Sequence, residues 1–76
     1  MNLRHLQTFV AVADAGGLAR AAVRINLSQP AASRQILALE AELGVALFDR
    51  IGRRIHLTSE GQDLLERGRR LLPVLH

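Results

Sequence analysis

Leu3, Leu6, Phe9, Val10 and Ala13 recur at spacings of three, three, one and three. That rhythm predicts an amphipathic helix with one buried stripe and with Arg4, Gln7 and Thr8 turned to solvent. Gly16-Gly17 should end it, because glycine takes the left-handed cap conformation without a steric penalty. A short second helix follows from about Leu18 to Arg24; its inner face is Ala21 and Ala22, small enough for another helix to cross closely. Ile25-Asn26-Leu27 reads as a turn, with Asn26 tolerating the left-handed region and Ile25 and Leu27 anchoring it in the core. A third helix begins at Ser28 and ends near Leu43-Gly44. It buries Ala32, Ile36, Leu39 and Leu43 and leaves Gln29, Ser33, Arg34 and Leu37 on its other face, with Glu40 and Glu42 at the far end.

From Val45 to Leu57 the period changes, and two short strands around a Gly-containing turn are expected; Ile55 and Leu57 alternate with His56 as in a half-buried strand. Thr58 or Ser59 then caps a fourth helix, Ser59 and Gln62 having capping-box spacing. Along it Leu57, Gly61, Leu64, Gly68, Leu71 and Leu75 step by four, three, four, three and four, a seam of heptad type with glycine at two positions. Packing on the chain's own core is one reading of that seam. A helix that pairs with a second chain accounts better for leucines on more than one face.

Composition narrows the class. Seventy-six residues make one domain, of a size that buries only roughly 60% of its unfolded surface. With no cysteine there is no disulfide framework and no thiolate metal site, and His5, His56 and His76 are too scattered to form a ligand cluster. The net charge is +3 and every basic residue is arginine, the side chain suited to bidentate contacts with guanine and phosphate and to narrow minor grooves. Arg50, Arg53 and Arg54 fall within five residues with no acid beside Arg53 or Arg54. The longest apolar run near the start, Phe9 to Ala13, is cut off by Asp14, far short of the ~20 residues of a membrane span or the roughly 7–15 of a secretory core. A cytoplasmic protein with no membrane partner is the default. At 49% hydrophobic residues, some apolar surface is available for a partner.

The chemistry concentrates in Ser28-Gln29-Pro30-Ala31-Ala32-Ser33-Arg34-Gln35-Ile36. Ser28 caps the third helix, Pro30 suits its first turn, and the exposed face then presents Gln29, Ser33 and Arg34. An amide, a hydroxyl and a guanidinium on the first two turns of a helix match base edges and phosphates in a major groove. Ala22 at a close helix crossing, followed four residues later by Asn26, fits helix-turn-helix spacing, and the arginine-bearing hairpin points to the winged variant.

The string Ala21-Ala22, Leu27-Ser28-Gln29-Pro30-Ala31, Ser33-Arg34-Gln35-Ile36, Leu39-Glu40, Leu43-Gly44, Leu47-Phe48, Arg50, and Leu57-Thr58 with Gly61 resembles the N-terminal domain of LysR-type transcriptional regulators, from Leu3 to about Leu72. The resemblance implies a mainly α, winged helix-turn-helix fold: a three-helix core, a two-stranded β wing and a C-terminal linker helix through which two copies dimerise. Residues 1–58 would form the DNA-binding domain, with the helix-turn-helix at about 18–37 and the wing at about 46–57, and residues 59–76 the linker helix. By the same resemblance, Gln29, Pro30, Ser33 and Arg34 lie against DNA, Arg50, Arg53 and Arg54 approach the backbone or a flanking minor groove, and Thr58 lies near phosphate. Ser28 joins them as the cap of the reading helix. Leu64, Leu65, Gly68, Leu71, Leu72 and Leu75 are the candidates for the dimer face. The expected partners are double-stranded DNA and a second copy, with higher oligomers open to an intact protein.

Three departures matter. Gly17 and Ala19 stand where the family usually has Ser, Thr or a similar polar residue, so no side-chain oxygen is expected there for one backbone phosphate contact. Gly68 stands for the commoner Ala, at roughly 1 kcal/mol of helix stability unless a close helix uses the space. Pro73 should end or kink the helix at Leu72. Family members also carry a sensing domain of two α/β lobes; nothing in these residues forms it, so a shortened form is expected, and a small-molecule inducer only for that missing part.

Each residue has a plainer reading. Ser33 could back-bond within its own helix, Arg34 could pair with Glu40 or Glu42, and Arg50 could equally pair with Asp49 or Glu60. DNA contact is preferred for Ser33, Arg34, Arg53 and Arg54. An enzyme is disfavoured: no strained nucleophile turn, phosphate loop or paired carboxylates occur, the chain is too small to enclose a usual pocket, and no cofactor is expected. A protein-interaction helix-turn-helix would favour acids on the open face of the third helix, where Gln29, Ser33 and Arg34 stand instead.

Overall fold

The computed structural model describes the backbone of residues 1–51 and 54–72 and the side chains of residues 1–49 and 55–72. The order is α1 (Leu3–Ala15), α2 (Leu18–Arg24), α3 (Gln29–Leu43), β1 (Phe48–Ile51), β2 (Arg54–Leu57) and α4 (Ser59–Leu71). Local chemistry sets each boundary. The Asn2 side chain accepts the Arg4 N–H at 2.8 Å, and Gly16 closes α1 in the left-handed region at φ 76°. Gly17 precedes α2 without a side-chain cap. Asn26 takes φ 60°, as a tight turn between α2 and α3 requires.

The first helix is central. Leu6, Thr8, Phe9, Val10, Val12 and Ala15 are all buried, because α2, α3 and α4 each pack against it. A single stripe therefore understates it: Thr8, expected in solvent, is buried, and Leu3, expected in the core, is 60% exposed. Thr8 is accommodated because its hydroxyl donates to Gln35 Oε1 of α3 at 2.5 Å, a bond worth about 0.5–1.5 kcal/mol net. It fixes the rotation of α3 against α1. Ala32, Ile36 and Leu39 complete the α3 inner face, while Leu43 lies at its edge, 37% exposed.

The strands pair antiparallel in the register Phe48↔Leu57, Asp49↔His56, Arg50↔Ile55 and Ile51↔Arg54. Phe48 anchors the hairpin to the core, its ring 5.3 Å from that of Phe9 at a tilt of 50°. The root of the hairpin is held from two sides. Glu40 accepts the Leu47 N–H at 2.7 Å and the Phe48 N–H at 3.4 Å. From the other side, Thr58 donates its N–H to the Leu47 carbonyl at 3.0 Å and its hydroxyl to the Ala46 carbonyl at 2.6 Å.

Thr58, not Ser59, caps α4: its oxygen accepts the Gly61 N–H at 2.9 Å, while the Ser59 hydroxyl donates to Glu60. The capping box expected from Ser59 and Gln62 does not form, because the helix starts one residue earlier than that box requires. Both glycines of the expected seam face inward. Gly61 sits under the Leu47 carbonyl, and a Cβ on Gly68 would lie 3.3 Å from Val10 Cγ2 and 3.4 Å from Leu6 Cδ1. The close approach that Gly68 permits is thus to α1 of the same chain. Among the described residues no helix is long and apolar enough to cross a membrane.

Candidate nucleic-acid interface

The cap of α3 is built as its sequence predicts. Ser28 is extended, and its oxygen accepts the Ala31 N–H at 3.2 Å. Its hydroxyl proton remains free among the described residues. Pro30 occupies the first turn, and Gln29, Pro30 and Arg34 are exposed while Ser33 is half-buried. Among the described residues, Gln29, Ser33 and Arg34 make no side-chain hydrogen bond or ion pair. Neither Ser33 back-bonding nor an Arg34 pair with Glu40 or Glu42 is present. Glu40 is turned to the hairpin root, and Glu42 faces the N-terminal amine at 3.2 Å.

The electrostatics favour an anion. From Gln29 to Leu37 the helix carries one arginine and no acid, and the N-terminal end of a helix presents the positive end of its dipole. Elsewhere two acids are paired with arginines: Asp63 with Arg67 at 3.4 Å, and Asp14 with Arg69 through both guanidinium nitrogens at 2.5 and 3.3 Å. The hydrogen bonds from Arg69 to Asp14, and then the charge of that carboxylate, hold the guanidinium above its usual pKa. A base whose pKa is raised stays charged through the neutral range, and deprotonates only in strong alkali. This pair therefore fastens α4 to α1 without any neutral-pH switch.

Thr58, expected near phosphate, stands at the root of the hairpin. Its N–H and hydroxyl both donate to carbonyls of the Ala46-Leu47 stretch, and its oxygen caps α4, so it holds the hairpin root in place. Arg53 lies outside the described residues. Arg50 and Arg54 are placed only as strand positions on β1 and β2, their side chains being outside the described part.

Candidates for the dimer face divide. Leu65, Gly68 and Leu72 pack into the chain's own core, 7% and 6% exposed for the two leucines, because this edge of α4 lies on α1. Leu64 is half-buried against that core, Leu71 is 64% exposed, and Leu75 lies outside the described residues. Sequence reasoning missed Glu40 as the anchor of the hairpin root and the Thr8–Gln35 bond. The only prior hint of either was a polar residue sitting at core spacing.

Comparison with known proteins adds to this geometry. A family model described as "Bacterial regulatory helix-turn-helix protein, lysR family" matches residues 3–62. An uncharacterised HTH-type transcriptional regulator from Azotobacter vinelandii, in the ibpB-leuC intergenic region, is 49% identical over 99% of this chain and 52% of its own length. The HTH-type transcriptional regulator TcbR of Pseudomonas sp. (strain P51) is 51% identical over 97% of this chain and 25% of its own. The chain thus spans about half or a quarter of those relatives. In structure it is similar to the CbnR_DBD–DNA complex (TM-score 0.91, 50% identity, 97% of this chain and 85% of that one). It is likewise similar to the BenM_DBD/catB site 1 DNA complex (TM-score 0.92, 40% identity, 99% and 84%).

Proposed function

We propose, from the premise that this chain belongs to the lysR family of bacterial regulatory helix-turn-helix proteins, that it is the DNA-binding part of a cytoplasmic transcription regulator. It reads a partly palindromic duplex as a dimer. The observation that carries the reading is the outer face of α3: Gln29, Ser33 and Arg34 are solvent-accessible and unpaired among the described residues, on the first two turns of a well-capped helix. The winged helix-turn-helix is shared with domains whose crystal structures were determined on DNA.

In this reading α3 enters the major groove, where Gln29 suits adenine and Arg34 suits guanine. Ser28 and Ser33 offer hydroxyls to phosphate or base, and Pro30 packs against the backbone. Phosphate contacts set the register, and the wing arginines Arg50, Arg53 and Arg54 reach the backbone or minor groove beside it. Residues 1–58 are the DNA-binding unit and 59–76 the linker segment, of which α4 is the described helix. Pairing falls to the edge of α4 that carries Leu71, since Leu65, Gly68 and Leu72 are used internally; Leu75 lies outside the described residues. Two copies then set their α3 helices in successive major grooves, about 34–36 Å apart.

A gel shift on duplex DNA at several salt concentrations tests the reading. A groove binder loses affinity steeply, with a log–log slope of about −0.9 per phosphate neutralised. A protein-interaction module of the same fold shows no retardation of any duplex and no such slope, and that result refutes the proposal.

A further inference from the structure

Leu37 stands out on α3. It is 56% exposed, while its neighbours Ile36 and Leu39 are 6% and 0% exposed. Pro30, Ser33, Arg34 and Leu37 step by three, one and three, so they share one stripe of the helix. Leu37 and Ser33 also line the same open cleft of about 240 Å³ between α3 and the hairpin, walled by Phe48 and Ile55. Folding thus leaves a large apolar side chain in line with the polar groups assigned to the duplex. Nothing in the chain's own described core covers it.

We propose that Leu37 is a further specificity-determining residue, packing against the 5-methyl group of a thymine in the major groove. The inference rests on the DNA-binding reading above and adds a ligand group to it. The helix rises ~4.5 Å from Arg34 to Leu37, and one base step is about 3.4 Å, so Leu37 meets a base pair next to the one Arg34 reaches. On the groove floor, thymine alone offers an apolar group. Guanine and cytosine there present acceptors or a donor that leucine leaves unpaired once water is expelled. A protein partner on the same stripe would compete with the duplex itself, so the nucleic acid is the occupant.

The test starts from duplexes selected by the full chain out of a random pool. In the selected site each thymine is replaced singly by deoxyuridine, which removes only the methyl group, and binding is followed by fluorescence anisotropy for the parent chain and for Leu37→Ala. One thymine per half-site should lose about four-fold in affinity for the parent, the factor that goes with one buried methyl group. The same replacement should cost Leu37→Ala nothing. Circular dichroism of the variant should match the parent, the side chain being exposed. If no uracil position loses its effect in Leu37→Ala, or if that variant weakens every duplex by the same factor, Leu37 reads no base and the proposal is overturned. If the pool yields no enriched duplex, the failure belongs to the DNA-binding reading, which the salt titration tests separately.

Discussion

Replacing Gly61 with alanine should loosen α4 from the root of the wing. A Cβ there overlaps the Leu47 carbonyl oxygen and comes within 2.9 Å of Leu57 Cδ2. The leucine tip can turn away, but the carbonyl cannot: it accepts the Thr58 N–H at 3.0 Å, while the N–H of the same residue is held by Glu40 at 2.7 Å. Overpacking costs about 1–3 kcal/mol, and a backbone obstacle belongs at the upper end. Exchange of glycine for alanine in a helix returns up to roughly 1 kcal/mol. The net loss is about 1–2 kcal/mol, or roughly 5–15 °C in Tm for a domain of this size. Gly68→Ala is the matched control. There the nearest atoms are the side-chain tips of Val10 and Leu6, at 3.3 and 3.4 Å, which can yield by tenths of an ångström, so the gain in helix propensity should leave Tm unchanged or slightly raised. Thermal melts followed by far-ultraviolet circular dichroism compare the two. A Gly61→Ala chain that melts at or above the parent, or a Gly68→Ala chain that is the more damaged, refutes the reasoning.

Other substitutions separate the remaining roles. Arg34→Ala should cost ~1–3 kcal/mol on a selected site and less on random DNA; equal losses in a competition assay would make it a phosphate contact. Arg53→Ala should weaken binding to all duplexes alike and lower the salt slope by about one, and an unchanged slope removes that arginine from the interface. Glu40→Ala leaves the N–H of the fully buried Leu47 without its acceptor, a loss of about 1–3 kcal/mol visible in a melt; unchanged stability would mean that water replaces the carboxylate. Leu71→Asp should shift the chain from dimer to monomer in sedimentation, and a parent that is already monomeric sinks the pairing assigned to α4.

Much of the fold was legible because its boundaries are local. The Ser28 cap, the left-handed Asn26 and the glycines closing α1 and α3 each follow from what one side chain does to its own backbone. Less legible was anything that depends on how many neighbours a helix has. Thr8 was misplaced because an amphipathic stripe assumes one buried side, whereas α1 is enclosed by three helices. The α4 seam left two readings open for a related reason. Gly61 and Gly68 belong to two stripes at once, one continuing through Leu64 and Leu71 and the other through Leu65 and Leu72. Periodicity places both stripes on a helix without saying which meets its own core. Glu40 and Thr58 could not be assigned from spacing because their partners are backbone groups of Ala46, Leu47 and Phe48, which only the closed fold brings within reach. The outer face of α3 was read from residue type and position, and its side chains are indeed turned outward.

On α3 the two faces divide their labour with little overlap. Ala32, Gln35, Ile36, Leu39 and Glu40 hold the helix in place, and Gln29, Ser33, Arg34 and Leu37 hold nothing else among the described residues. In the DNA-binding reading proposed above, preference for a new operator is acquired by exchanging a few outward side chains, with the architecture beneath left intact. Altered recognition and loss of folding are separable events in such a helix, and the first should be the commoner outcome of change on its outer side.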